Sequence, residues 1–432
     1  MTELTPDQSR ALDKIKSGFI RGGRHLLIGY AGTGKTTLMW TLTRDFIHSG
    51  KTVVLTAPTH KAVAVLERKL RENGISDVPC VTIHKLLELK KKTIKDKISF
   101  VRPARAAPID IDVVVIDECS MLSSEMMGHI RRHMQLSYVV LVGDSAQIPP
   151  VGEVKSHSFD TKAKSELTKI MRQSEENPIL KAAKIIRESQ GGALDMSWCK
   201  RESVPPIGVF LPSNLGEWMK KGFTSKEFDE DPDSFRYLCW TNEKVATVNK
   251  KIREWRYGKT TEAPFVSGEM MLFRSPVIQD KSIVFSTNEE ARVIDINKSI
   301  LTHTFPATFD ASQWSCEIPV WEIKARTFAG DMVSVFAPSS AKDHNKTIAR
   351  IKDEAVANRE RWDHFHEFNE RLAVLQNIYA MTIHTSQGST FKNVFLDVAD
   401  IKRRAATNLL ECQQLFYVGA TRASTALILT GV

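Results

Sequence analysis

Eight consecutive residues, Gly29-Tyr30-Ala31-Gly32-Thr33-Gly34-Lys35-Thr36, constrain this chain more than anything else in it. The apolar run His25-Leu26-Leu27-Ile28 leads into them as a buried strand, and a helical pattern from about Lys35 to Ile47 leads out. A glycine-rich turn between strand and helix lets successive backbone N–H groups curl around one anion, and the helix N-terminus adds positive potential. The spacing G-x-x-x-x-G-K-[ST] makes that anion the phosphate chain of a nucleotide. Lys35 is long enough to reach the β- and γ-phosphates, and the Thr36 hydroxyl is a ligand for Mg²⁺. Gly32, Thr33, Gly34, Lys35, Thr36 and Thr37 are the candidate nucleotide-binding residues, with ATP and Mg²⁺ the expected cofactors. Tyr30 is large for its place, but that position is expected to contribute backbone rather than side chain.

Around this loop the first third of the chain alternates in βαβ fashion. The runs Thr52–Thr56, Asp112–Asp117 and Tyr138–Gly143 are nearly continuous in apolar β-formers, as parallel strands covered on both faces are. A later set, Arg236–Trp240, Asn393–Asp397 and Ala426–Leu429, predicts a second α/β domain of related design. The 432 residues exceed the roughly 250–300 that one core sustains, so more than one domain is expected. Two stretches break the rhythm. Glu88 to Pro108 is basic and turn-punctuated, with Ile98-Ser99-Phe100-Val101 as a hairpin strand. From about Pro264 to Gln376 the pattern is β-rich, with short strands at Ser282–Phe285, Ala291–Ile296 and Pro319–Ile323. One charged helix from about Ala341 to Leu375 closes that insertion.

Asp117-Glu118 ends a buried apolar strand, where two adjacent carboxylates have no structural reason to sit. Asp117 suits Mg²⁺ coordination and Glu118 suits orienting or deprotonating an attacking water. Such pairs also cap helices, but downstream of the phosphate loop they indicate ATP hydrolysis. Gln147, in the polar turn after Leu141-Val142-Gly143, is a candidate γ-phosphate sensor. Thr59-His60 and Thr82-Ile83-His84 put hydroxyl and imidazole donors at element ends, the chemistry of phosphate contacts. Further motifs stand at Met381–Thr390 and Phe416–Ala423.

In this order the motifs resemble those of the superfamily 1 DNA helicases, specifically the 5′→3′ RecD-like class, whose bacteriophage members are nearest. The likeness runs from Leu4-Thr5-Pro6-Asp7-Gln8 to the Arg422 segment and is weakest from Pro264 to Leu375. It implies two RecA-like P-loop motor domains, 1–87 with 109–173 and 174–263 with 376–432. It also implies a small β-hairpin pin at 88–108 in the first and an SH3-like and helical insertion at 264–375 in the second. By this resemblance Gln8 hydrogen-bonds the adenine edge, Gly388 borders the nucleotide, and Arg172 and Arg422 are arginine fingers. An arginine supplied across a cleft couples hydrolysis to cleft closure; the bland alternative for either arginine is a surface ion pair. Thr59, His60, Thr82 and His84 would hold the single-strand backbone on the first domain, and Thr241, Asn242, His384 and Thr385 on the second. Satisfied structural imidazoles are the alternative for the three histidines. Phe100 would be the aromatic tip of the pin, after the lysines at 90–92, 95 and 97, which otherwise form a solvated face. Trp362 is a weaker stacking platform that packing in a helical core explains nearly as well. The turn Ser286-Thr287-Asn288-Glu289-Glu290 lacks the Asn-Gly expected of a tight hairpin, and Glu289 at positive φ would be unfavourable.

Lys and Arg number 60 against 51 Asp and Glu, a net charge of +9, which suits an anionic partner. The expected partners are single-stranded and forked duplex DNA, together with a single-strand-binding or replication protein. The activity expected is ATP-dependent 5′→3′ translocation with duplex unwinding, in replication or repair. Two other readings are a translocase that remodels protein–DNA complexes and a regulatory nucleotide switch that unwinds nothing. No apolar run approaches the roughly 18 residues needed to span a bilayer, and no signal segment is visible at the N-terminus, so a cytoplasmic protein is expected, in a host cytoplasm if phage-encoded. Six scattered cysteines fit a reducing compartment and no metal site. Both halves of the nucleotide site lie in one chain, so a monomer suffices.

Overall fold

The computed structural model describes residues 4–75, 77–94, 97–169, 176–189, 195–204, 206–259, 262–279, 282–305, 307, 312–326, 330, 332–357 and 361–432. They form two compact units, Met1–Val245 with Met381–Val432, and Ala246–Ala380.

The larger unit holds two parallel sheets. The first half runs α1 (Pro6–Arg21), β1 (Arg24–Gly29), α2 (Lys35–His48), β2 (Val53–Ala57), α3 (His60–Glu72), β3 (Cys80–Thr82) and α4 (Ile83–Leu86). A hairpin of β4 (Lys90–Ile94) and β5 (Lys97–Val101) follows, then β6 (Val113–Ile116), α5 (Ser124–His133), β7 (Tyr138–Gly143) and β8 (Ala163–Leu167). The sheet order is β3-β2-β6-β7-β1-β8, with β1 in parallel register between β7 and β8. Side chains alternate across such a sheet. Val113 and Val115 therefore join one apolar cluster with Leu27, Leu38 and Phe46, while Val114 and Ile116 join another with Met127 and Ile130. Both faces are covered, and each fully buried Val, Leu or Ile contributes about 1.5–3 kcal/mol. This is why the central strands read as unbroken apolar runs rather than alternating ones.

The second sheet has the strand order Ala380–Thr382, Phe235–Cys239, Phe391–Asp397, Ala423–Thr430, Ile207–Phe210, Glu202–Val204. From Phe235–Cys239 through Ile207–Phe210 the pairings are parallel, and the edge strand Glu202–Val204 is antiparallel. The helix Leu409–Thr421 buries Leu415, Phe416, Tyr417 and Val418 in succession, so it is enclosed rather than amphipathic.

The second unit carries an antiparallel sheet ordered Met332–Pro338, Trp314–Arg326, Glu290–Phe305, Met270–Phe273, Leu375–Asn377. Ser282–Phe285 is a short strand as expected, but the short strands expected at Ala291–Ile296 and Pro319–Ile323 are corrected: Glu290–Phe305 and Trp314–Arg326 form one long ribbon. Alternating burial at its far end, where Leu301, Phe305, Ile318 and Val320 turn inward, extends the pairing. The single helix expected from Ala341 to Leu375 is also corrected. Ala341–Ala357 and Arg361–Arg371 are separate helices, and Leu375 starts a strand. In the turn before the ribbon the positive φ, 63°, falls on Asn288. Asparagine tolerates that conformation, and Glu289 is left to accept a hydrogen bond from the Ser286 N–H at 2.8 Å. Among the described residues no helix is long and apolar enough to cross a membrane.

Candidate active site and nucleic-acid interface

The motif residues of the first half stand at the carboxyl ends of its parallel strands. β1 ends in the phosphate loop, β2 leads to Thr59, β3 ends at Thr82, β6 leads to Asp117-Glu118, and β7 leads to Asp144 and Gln147. A doubly wound sheet presents its ligand-binding loops at that edge.

Within the loop, Gly32 and Gly34 each have φ of 80°, a conformation costing other residues about 1–2 kcal/mol. The Lys35 Nζ donates to the carbonyls of Gly29 at 2.6 Å and Tyr30 at 3.1 Å, so its ammonium folds over its own loop. Thr36 and Thr37 lie on the first turn of α2. Thr33 is buried, and its hydroxyl donates to the Tyr30 carbonyl at 2.8 Å. Gln8 is fully buried and held in a reciprocal cap with Thr5. Its side-chain amide donates to the carbonyls of Thr33 and Gly34, each at 3.4 Å, bracing the loop.

Glu118 has φ of 51°, a left-handed backbone unusual for a residue with a side chain. Its N–H donates to Asp117 Oδ1 at 2.9 Å. Burial, and then the neighbouring Glu118 charge, hold the Asp117 carboxyl above the usual carboxylate range, with Lys35 acting in the opposite sense. A hard divalent cation fits this place. The Asp117 carboxylate and Thr36 hydroxyl are oxygen donors of the type Mg²⁺ prefers, and its charge offsets the crowding of the two carboxylates. Gln147 is buried, and its Oε1 accepts from the Ser120 hydroxyl at 3.3 Å.

The second half reaches these loops directly. Tyr417, only 2% exposed, donates its hydroxyl to Asp144 Oδ2 at 2.6 Å and accepts from the Ala31 N–H of the phosphate loop at 3.0 Å. Burial and then Asp144 push the tyrosine pKa up, so the hydroxyl stays protonated and donates. Asp144 Oδ1 meanwhile accepts from the Ala146 N–H at 2.9 Å, stiffening the turn that carries Gln147. The Gln387 amide donates to the Ile148 carbonyl at 3.0 Å. Gly388, at φ 73°, passes so close to the first half that a Cβ would lie 3.2 Å from Ala62 Cβ and 3.5 Å from Thr59 Oγ1. Tyr30 contributes its backbone carbonyl to the loop, and its ring centroid in addition lies 3.8 Å from the Arg187 guanidinium. Arg422 is 7% exposed and donates to the Val418 carbonyl, the Ser389 carbonyl at 3.0 Å and the Thr421 hydroxyl. Arg172 lies outside the described residues.

Among the candidate nucleic-acid contacts, Thr59 and Thr82 each cap a helix, accepting from Ala62 N–H and Lys85 N–H at 3.2 Å. His60 is exposed on the first turn of α3. Burial, then the His60 charge, lowers the pKa of His84, whose ring lies 4.7 Å from that of Phe100. The expectation for Phe100 is corrected. It pairs with Lys91, and Ile94 pairs with Lys97 nearer the turn, so Phe100 stands at the base of the hairpin rather than at its tip. Thr241 gives its hydroxyl to the buried Asp400 at 3.0 Å, which is a structural use. Asn242 opens the following helix and is exposed. His384 is half-buried, 3.9 Å from Glu411, and burial lowers its pKa. The Thr385 hydroxyl lies 3.0 Å from that of Thr382. In the second unit the Trp362 ring lies 5.4 Å from Phe365 at the edge of an apolar cluster, a packing role.

Sequence reasoning assigned nothing to Tyr417 and Asp144. One signal is available: a tyrosine inside the apolar stretch Leu415-Phe416-Tyr417-Val418 must find a partner for its hydroxyl.

Residues 3–202 match the model of an AAA domain, and residues 377–430 match that of a UvrD-like helicase C-terminal domain. An uncharacterized protein of Acanthamoeba polyphaga mimivirus, R530, is 26% identical, over 93% of this chain and 94% of its own length. The ATP-dependent DNA helicase dda of Enterobacteria phage T4 is 24% identical, over 97% of both chains. A Pif1 helicase structure, described for DNA unwinding at forked double-stranded DNA, has a TM-score of 0.52 and 17% identity, covering 99% of this chain and 92% of that one. It shares the fold.

Proposed function

The chain belongs to the superfamily 1 helicases, and on that premise we propose that it is an ATP-driven motor that tracks 5′→3′ along single-stranded DNA and separates duplex ahead of it. The observation that carries this reading is the two-sided nucleotide site: the phosphate loop of the first half is touched by Tyr417 of the second, while Gln387 bonds the Ile148 carbonyl and Gly388 passes close to Thr59 and Ala62 on neighbouring loops. A site divided between two halves of one chain turns hydrolysis into relative motion of those halves.

Lys35 and the loop N–H groups hold the phosphate chain, and Gln8 braces the loop and borders the base. Glu118 orients the attacking water, its carboxylate aimed by the left-handed backbone turn. Asp117 and Thr36 would hold Mg²⁺, which supplies charge neutralisation at the β- and γ-phosphates when bound. Arg422 brings a cation from the second half to the developing charge. Thr59, His60, Thr82 and His84 grip the strand on one half, and Asn242, His384 and Thr385 on the other, in alternation as the cleft closes and opens. The hairpin 90–101 splits the duplex.

Unwinding of duplexes with a 5′ tail and a 3′ tail, with and without ATP and Mg²⁺, tests the proposal. ATP-dependent opening of the 5′-tailed substrate is expected. Opening of the 3′-tailed substrate alone overturns the polarity, and opening of neither overturns the helicase assignment.

A further inference from the structure

A wedge that parts base pairs has to be mounted stiffly, and a two-stranded hairpin by itself is marginally stable in water. The β4–β5 ribbon pairs from Lys90 with Val101 to Ile94 with Lys97. In such a ribbon every second residue turns its N–H and C=O outward, away from the partner strand. Phe100 is one of these, and both of its outward groups are taken by α5. Its N–H donates to Glu125 Oε1 at 3.0 Å, and its C=O accepts from His129 Nε2 at 2.9 Å. Glu125 and His129 are one helical turn apart and so project from the same face of α5. The exit of the hairpin is held too, because Arg102 donates through Nε to the Leu87 carbonyl at 3.1 Å and through a second nitrogen to the Ala107 carbonyl.

Packing alone does not set the depth of this attachment. Beside the Phe100 ring, between Pro58, His84, Leu122 and Met126, a cavity of about 110 Å³ remains. The ring leans on His84 at an interplanar angle of 63° without filling that space. Phe100 packs against the apolar cluster of Ile83, Leu122 and Met126, and two directional hydrogen bonds from one helix face fix the strand beside the space that this packing leaves unfilled.

We propose that Glu125 and His129 are positioning residues for strand separation: a two-point bracket on α5 that holds the backbone of Phe100 and so mounts the hairpin against the motor core. The proposal rests on the reading that this hairpin splits duplex. Neither side chain belongs to the nucleotide site or to the proposed strand grips, so their loss affects opening of the duplex and spares fuel use.

The test uses the full chain with Glu125→Ala, Glu125→Gln and His129→Ala. Three measurements are made: forked-duplex unwinding rate, ATPase stimulated by single-stranded DNA, and hydrogen exchange of the strand 97–101. Glu125→Ala and His129→Ala are expected to slow unwinding about fivefold, the scale of one lost hydrogen bond, with ATPase within about twofold of the parent. Both should also speed exchange in 97–101. Glu125→Gln retains an acceptor oxygen and should restore unwinding. Unwinding and ATPase falling in parallel, or exchange in 97–101 unchanged by both alanine variants, overturns the bracket. If the parent hydrolyses ATP on single strands and opens no fork, the helicase reading fails instead, and the exchange measurement still decides the bracket.

Discussion

Tyr417→Phe removes one oxygen and leaves the ring that the second-half core packs around. The lost hydroxyl makes two bonds across the cleft, one to a buried carboxylate at 2.6 Å and one from a loop N–H at 3.0 Å. A hydrogen bond to a charged group contributes about 1.5–3 kcal/mol, and the Ala31 N–H also loses its acceptor. Asp144 keeps its bond to Ala146, which limits the damage on that side. A net cost of about 2 kcal/mol falls on the state in which the halves touch, equivalent to roughly thirtyfold in its population. If hydrolysis occurs only from that state, kcat for ATP at saturating single-stranded DNA falls by about tenfold to thirtyfold, while KM for ATP changes little. Steady-state ATPase titrations in ATP and in DNA measure both parameters. Asp144→Ala combined with Tyr417→Phe should cost less than the sum of the two single losses, because both remove the same bond. A kcat equal to the parent, or additive losses in the double variant, refutes the idea that this bond carries the coupling.

Lys35→Ala is expected to lower ATP hydrolysis by at least about a hundredfold while single-strand affinity, read by fluorescence anisotropy, stays near the parent value. His25, buried against the Ser165 hydroxyl at 2.9 Å, has its pKa lowered by burial from 6.5 to about 4. Its neutral form is favoured on folding, so stability is lost as pH falls from about 6.5 to about 4, by at most about 3 kcal/mol. His25→Gln should flatten that limb of a melting-temperature profile against pH. Affinity for single-stranded DNA should fall steeply with salt, by about a hundredfold between 50 and 200 mM if roughly five phosphates are neutralised.

The phosphate loop and the buried parallel strands were legible because their signals are local. A glycine at φ of 80° in a strand–helix turn, or a run such as Val113-Val114-Val115-Ile116 covered on both faces, leaves its mark within a few residues. The β-rich unit was less legible. Its long ribbon has a far half whose inward residues, Leu301 and Phe305, alternate with polar ones and carry a weaker signal than a doubly covered strand. A lysine run preceding an aromatic does not state the pairing register, so the position of Phe100 along the hairpin is not legible in the sequence. The Lys91–Phe100 pairing places it at the base.

The sequence by itself determined the nucleotide chemistry, the α/β class and the presence of two motor-like halves, since each follows from short-range backbone preference and burial period. Only the tertiary structure decided which groups meet. Tyr417 bonds Asp144 and Ala31, which lie 273 and 386 positions away, and no local pattern names such partners. Lys35 and Thr59 announce themselves by the turn and the element end they occupy. A hydroxyl that closes a cleft or a carboxylate that holds a hairpin is identified only by what stands opposite it once the chain has folded.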